Sequence, residues 1–490
     1  MSFNSFEFLF LFLLTFSIYY IPAFRKIQIL IIITSSLIFY SWGNPQLLIL
    51  LILSIFVNAF ISWQMAYGRK LKKIIWALIG IGFNLSLLAF FKYASLFTHV
   101  VLQTFNLPEN GISSFLLTIP LPLGISFYTF EGISLIVDVL RRKSERDETS
   151  FVDEKLNKHL INTSFFIAFF PHLIAGPILK AHDFFPQIQP KYFRQIPWKL
   201  VFRSLIVGYF LKRVIADNLK DYTFWIAYPF YQLLSASTGI VLLFGYSIQI
   251  FADFAGYSLI AIGTAAIFGY NLPQNFNFPY ISRSLSEFWQ RWHISLSTWL
   301  KDYLYIPLGG NRKGRLRTYA NLMIVMILGG LWHGAAWSYA VWGAFHGIGL
   351  VIERFLTTQL KDKFNPSISR WQQLIGEIMR MIGVFLFVTI GWLLFKLPDF
   401  GQALDFLKTM ANNVNLSPNW MLIEPVIIFS IPVVVYHLIH VPSFKLWHEK
   451  LLYKSYFRLG TLGDDIILGG MLAIILLNSG SPNEFIYFQF

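Results

Sequence analysis

Apolar residues occur along this chain in long runs instead of alternating with polar ones. Residues 7–23, 27–42 and 46–66 form the first runs, followed by 74–95 and by one that ends at Arg141. Crossing about 30 Å of hydrocarbon takes about 20 helical residues, so such runs predict membrane-embedded helices. Gly43, Asn44 and Pro45 separate the second run from the third and predict a turn. Plainer helices are predicted again over 375–398, 421–441 and 464–479. The pattern reads as an all-α polytopic membrane protein with roughly a dozen membrane-embedded segments. These form one transmembrane domain over 1–490, with N-terminal helices at 1–110, core helices at 115–355 and C-terminal helices at 375–490.

Between 150 and 350 the runs are less even. Those near 160–180, 199–216 and 236–270 contain Pro171, Pro177, Lys212, Arg213 and Asp253, so some of these segments are expected to be broken or re-entrant. Irregular backbone at membrane depth persists only where protein buries it or where it lines a wet cavity, which points to a functional interior. No internal repeat is visible, a slight argument against a transporter built from duplicated halves.

Charge adds topology to this picture. Arg25 and Lys26 follow the first run, Arg69, Lys70, Lys72 and Lys73 the third, and Arg141, Arg142, Lys143 and Arg146 the fifth, so positive-inside logic places the N-terminus outside. The net charge of +14 is spread over short clusters between apolar runs, with no basic face, so nucleic acid is not an expected partner. Aromatic residues make up 18% of the chain, as suits packed membrane helices and interfacial Trp and Tyr belts. The run at 7–23 lacks a preceding basic stretch and an A-x-A site, so it is expected to be a retained helix and not a cleaved signal. The absence of cysteine excludes disulfides, thiolate metal sites and a cysteine acyl-enzyme.

Chemistry concentrates in two stretches. Residues 287–317 place Glu287, Gln290, Arg291, His293, Lys301 and Asp302 among Trp289, Trp292 and Trp299. Ionisable groups at membrane depth are costly and mark functional pathways, although an amphipathic helix lying in the headgroups has the same composition. Some 40 residues on, LGGLWHGAAWSYAVWGAFHG carries His333 and His346 in a stretch without Lys, Arg, Asp or Glu. An imidazole in so apolar a setting stays neutral and can take a proton from an alcohol. The plainer reading makes both core histidines bonded to carbonyls, with the glycines serving close helix packing, and for His346 that reading is preferred. Asp253 and Glu131 are acids within apolar runs that need a partner or water, and either is open to a structural ion pair. The basic loop Arg312, Lys313, Arg315 and Arg317 lacks P-loop spacing, and topology explains it better than phosphate binding. No His or acid spacing predicts a metal site; His437 and His440 lack an accompanying acid.

Taken together, PLGISFYTFEGISLIVDV at 122–139, FFPHLIAGPI at 169–178, YSIQIFADFAGYS at 246–258, FWQRWHISLSTWLKDYLYIPLGG at 288–310 and LWHGAAWSYAVWGAFHG at 331–347 resemble the membrane-bound O-acyltransferase family. The resemblance is to its bacterial branch of alginate O-acetylases and teichoic acid D-alanyl transfer proteins, and it covers most of the chain. It implies a ring of tilted helices around a thinned centre where a funnel from each side meets. It implies that His333 is catalytic and that His293 is the second site histidine. Trp289, Arg291, Trp292, Trp332 and Asp253 are read beside them as supporting candidates, with Trp289 or Trp292 as a donor to orient substrate or stabilise oxyanion charge. FFPHLIAGPI with His172, and YSLIAIG after Gly256, depart from the alginate branch and leave the acceptor open among alginate, another exopolysaccharide, cellulose and peptidoglycan, with D-alanyl transfer as an alternative.

The family also implies a cytoplasmic acyl thioester donor, most simply acetyl-CoA, no bound cofactor, and an extracytoplasmic acceptor or partner protein that passes the group to polysaccharide at a bacterial inner membrane. Without cysteine or a G-x-S-x-G elbow, direct transfer is simpler than an acyl-enzyme, though a Ser or Thr ester stays open. Two other classes compete: a polysaccharide or lipid-linked sugar transporter, in which transport survives loss of His333, and a silent secretion scaffold, in which neither histidine matters.

Overall fold

The structure is a computed structural model and describes residues 1, 3, 5–68, 71–141, 152–360, 370–397, 399–441, 459–481 and 485. Arg69, Lys70, Arg142, Lys143 and Arg146, used above for topology, lie outside the described residues. All regular structure among the described residues is helical. In chain order the helices are α1 (Phe6–Tyr19), α2 (Gln28–Ser41), α3 (Leu47–Tyr67), α4 (Lys73–Phe105), α5 (Gly111–Thr118), α6 (Ile125–Arg141), α7 (Leu156–Ala168), α8 (Ala181–Phe184), α9 (Trp198–Tyr209) and α10 (Asp217–Thr223). They continue as α11 (Ala236–Ile267), α12 (Leu285–Arg291), α13 (Ile294–Leu300), α14 (Arg315–His333), α15 (Trp337–Leu360), α16 (Arg370–Lys396), α17 (Phe400–Asn412), α18 (Trp420–Leu438) and α19 (Leu459–Leu477).

Among the described residues, six helical stretches are long and apolar enough to cross a membrane: Pro22–Ser41, Leu47–Tyr67, Lys73–Phe105, Ala236–Ile267, Trp371–Lys396 and Trp420–Leu438. The chain is a multi-pass membrane protein. Helix α4 runs past the expected end at 95 because its apolar character continues through Phe97, Val101 and Phe105, all well exposed. Asp253 does not break its run, because Lys212 neutralises it and α11 continues for 32 residues. The expected break at Lys212 and Arg213 is a π-helical stretch over Phe210–Ala216, which joins α9 to α10 without interrupting the helix path. The run near 160–180 is broken: α7 stops at Ala168, and buried irregular backbone follows around Pro171 and Pro177.

The chain divides into two compact units. The first, Met1–Ser204 with Ile260–Pro273, is held by interhelical polar contacts, which membrane helices use because lipid offers no hydrophobic drive between them. Thr15 donates to Ser35 at 2.7 Å between α1 and α2, Asn58 and Asn84 exchange amide hydrogen bonds between α3 and α4, and Ser62 meets His159 at 2.7 Å between α3 and α7. Glu131 and His172 pair at 3.1 Å in the interior of this unit.

The second unit, Leu205–Leu259 with Gln274–Phe490, contains both histidine motifs. Its helices α14 and α15 pack backbone to backbone, since a Cβ at Gly330 would fall 2.2 Å from the Tyr339 carbonyl oxygen and one at Gly343 2.3 Å from that of Met326. The repeated glycines of the second motif thus let the hairpin close and bring its C-terminal His333 inward.

Candidate active site

Local sequence explains how each histidine is placed. Ser284 caps α12 by accepting the Glu287 N–H at 3.0 Å, and the Glu353 carboxylate accepts the N–H groups of Leu285 and Ser286 at 2.5 and 3.1 Å. A carboxylate at a helix N-terminus satisfies orphan donors and opposes the positive end of the dipole. The helix stops at Arg291; Trp292 is extended, and His293 takes the left-handed conformation at φ 42° and ψ 55°. For a residue other than Gly, Asn or Asp this conformation costs roughly 1–2 kcal/mol and must be held by its surroundings. Asn275 holds it: its carbonyl accepts the Ile294 N–H at 2.9 Å, its side chain accepts the Ser295 hydroxyl at 2.6 Å, and its amide donates to Ser258 at 3.0 Å.

The bend turns the fully buried imidazole of His293 towards α14, where its centroid is 6.1 Å from that of His333 and 5.8 Å from the ring of Trp332. His333 ends α14 and is 5% exposed. Its ring meets Trp342 at 5.4 Å and Phe395 at 5.3 Å. A Cβ at the following Gly334 would lie 2.1 Å from the Tyr339 ring, so the Trp-His-Gly sequence needs its glycine for close packing.

A cavity of about 480 Å³ opens beside His333. Trp289 and Trp342 form aromatic wall around it, while Gln290, Lys301, Asn311 and Arg354 supply polar groups. Lys301 begins a π-helical stretch, Lys301–Tyr305, in which the Ile306 N–H reaches the Lys301 carbonyl at 2.9 Å. Such stretches occur often at functional sites because they turn side chains off the regular helical register.

The supporting candidates separate in space. Trp289 lines the cavity, and Trp332 adjoins both imidazoles. Trp292, three residues after Trp289, packs instead among Phe276, Phe288 and Trp392. Arg291 bonds Glu287 at 2.9 Å and donates to the Asn277 carbonyl at 3.0 Å, which fastens α12 to the loop before it. Burial works against the charge of Glu287, but the Arg283 N–H and the Arg291 and Arg283 guanidiniums outweigh it and hold the carboxyl below its usual range. Asp253 belongs to a buried ion network with Lys212, Asp217 and Arg213. Glu131, the other apolar-run acid, faces His172 in the first unit.

His346 is fully buried, as expected of a core histidine, but its partners are rings and not carbonyls. It contacts Trp342 at 5.0 Å and Trp289 at 5.1 Å, and neither ring nitrogen has a hydrogen-bond partner among the described residues. His437 bonds the Val433 carbonyl through Nδ1 at 2.9 Å, and among the described residues no group of three or more His, Asp or Glu is placed to hold a metal. Sequence reasoning missed Trp342 and Arg354 as cavity residues. The signal for Trp342 was its i, i+4 spacing to His346, which puts both on one face of α15.

A multi-pass helical protein in which one buried imidazole, His333, lines a cavity walled by tryptophans and cations, with a second, His293, packed 6.1 Å from it, has the parts for proton transfer during group transfer at a membrane. Residues 34–395 match the family model of MBOAT, the membrane-bound O-acyltransferase family, and the chain belongs to that family. It is a membrane acyltransferase. It is 39% identical to the probable alginate O-acetylase AlgI of Pseudomonas putida over 406 residues, covering 81% of this chain and 77% of that protein. It is 34% identical to the peptidoglycan O-acetyltransferase of Helicobacter pylori over 415 residues, covering 81% of this chain and 76% of that one. With the teichoic acid D-alanyltransferase of Bacillus subtilis it shares 29% identity over 300 residues, 59% of this chain and 70% of that protein.

Proposed function

We propose that the protein moves an acetyl group from a cytoplasmic thioester, most simply acetyl-CoA, to a hydroxyl on an extracytoplasmic acceptor that serves cell-surface polysaccharide acetylation, alginate or a similar polymer, in a bacterial inner membrane. The observation that carries this reading is the placement of His333 on the cavity with His293 6.1 Å away. His333 takes the proton of the acceptor hydroxyl as the oxygen attacks the thioester carbonyl. The new C–O bond forms, the C–S bond breaks, and the coenzyme leaves as a thiolate that recovers the proton from the imidazolium. Lys301 and Arg354 suit a donor that carries phosphates, and the indoles of Trp289 and Trp342 wall the acyl end. His293 orients the reacting groups. The names of the Pseudomonas and Helicobacter relatives favour acetyl over D-alanyl.

The test is transfer of radiolabelled acetyl from acetyl-CoA into extracytoplasmic polymer by membranes that contain the protein, with a radiolabelled D-alanyl thioester as the competing donor. Label from acetyl alone supports the reading. Label from D-alanine alone moves the activity to aminoacyl transfer, and label from neither removes acyl transfer from a coenzyme thioester.

A further inference from the structure

Residues 478–481 and Phe485 lie beyond the 34–395 stretch that matches the family model, and they are bound into the second unit at two points. At the first, the Gly480 N–H donates to the Arg213 carbonyl at 2.9 Å, and the Gly480 carbonyl accepts from the Arg213 guanidinium at 2.8 Å. A Cβ at Gly480 would fall 2.8 Å from the Asn218 nitrogen and 2.9 Å from the Asp217 carbonyl carbon, both backbone atoms. From Arg213 a buried ion chain runs to Asp217 at 2.7 Å, on to Lys212 at 2.9 Å and on to Asp253 at 2.6 Å. It ends on α11 beside Phe254. At the second point Phe485, 3% exposed, stacks on Tyr257 at 4.4 Å and packs on Phe254 at 5.7 Å. Phe254 in turn meets the imidazole of His293 edge-on at 4.6 Å and 83°. Both points thus converge on residues 253–257, the wall against which His293 rests.

We propose that Gly480 and Phe485 are positioning residues: Phe485 presses Phe254 onto His293, Gly480 anchors the ion chain that ends at Asp253, and together they fix that imidazole beside His333. The proposal rests on the reading of His293 and His333 as the acyl-transfer site. His293 has Phe254 on one side and Trp332 and His333 on the other, so withdrawal of Phe485 leaves a void behind Phe254 and loosens that side of the imidazole's packing. A displacement of about 1 Å at a reacting group is enough to cost about 100-fold in rate.

The experiment uses the full chain in membranes, with rates normalised to folded protein. Phe485→Ala and Gly480→Ala are expected to lower kcat for acetyl transfer at least about tenfold with the KM for acetyl-CoA nearly unchanged, while Phe485→Tyr recovers most of the rate. Leu477→Ala, at an 87% exposed position, keeps the wild-type rate. Separately from turnover, diethylpyrocarbonate modification of His293, followed by mass spectrometry, is expected to accelerate in Phe485→Ala and Gly480→Ala and not in Leu477→Ala. Wild-type kcat and wild-type labelling of His293 in Phe485→Ala overturn the proposal. If even the wild-type protein transfers no acetyl, the site reading fails, and the labelling rates alone decide whether the segment holds His293.

Discussion

The ring of Trp342 meets the imidazole of His333 edge-on, with 5.4 Å between centroids and 89° between planes, and also contacts His346 at 5.0 Å. One indole therefore walls the cavity, sets the face of the proposed base and covers a histidine that has no hydrogen-bond partner among the described residues. Trp342→Ala is expected to cost about 3–5 kcal/mol of stability and about 100-fold in transfer rate per folded molecule. Trp342→Phe is expected to keep the fold and part of the rate. Acetyl transfer normalised to the monodisperse fraction after detergent extraction checks both, and an unimpaired Trp342→Ala enzyme contradicts the placement.

The left-handed backbone of His293 makes a second prediction. Asn tolerates that conformation and a β-branched residue does not, so His293→Asn should fold near wild-type abundance while His293→Val loses roughly 1–3 kcal/mol. Both should lose transfer activity, because neither supplies an imidazole. Equal thermal stability of the two variants would show that the bend is not held as described.

The ion network around Lys212 makes a third. Removing only Asp253 by Asp253→Leu leaves Lys212 with Asp217 alone, and breaking a buried pair costs about 3–5 kcal/mol. In the double variant Asp253→Leu with Lys212→Met, Asp217 keeps Arg213, and stability should recover in part. A double variant less stable than Asp253→Leu would exclude this account of the coupling.

A fourth concerns pH. The hydrogen bond to Asp138, at 2.8 Å, raises His182 above its ordinary value of 6.5 against the opposing effect of burial. A value raised on folding means stabilisation that is complete below 6.5 and fades as pH climbs through the folded value. The melting temperature of His182→Ala should therefore trail the wild type more at about pH 6 than at about pH 9. An identical gap at both would remove the linkage.

The N-terminal helices are legible in sequence because each is one apolar run bounded by a polar turn: the run read at 46–66 is the helix Leu47–Tyr67. The pairing of His293 with His333 is legible through the motifs. What is not legible depends on one local bend. Trp289 and Trp292 look equivalent on a helix, but α12 ends between them, so one faces the cavity and the other joins the aromatic core. The partner of Asp253 was also hidden, because Lys212 lies 41 residues away in the chain and reaches it only through packing of α11 on the π-helical stretch before α10.

The most direct test of the central claim is acetyl transfer from acetyl-CoA by membranes containing wild-type protein or His333→Ala at equal folded abundance. Loss of a single general base typically costs about 100- to 10,000-fold, and the variant is predicted to fall by at least that lower factor. Undiminished transfer by His333→Ala would contradict the mechanism.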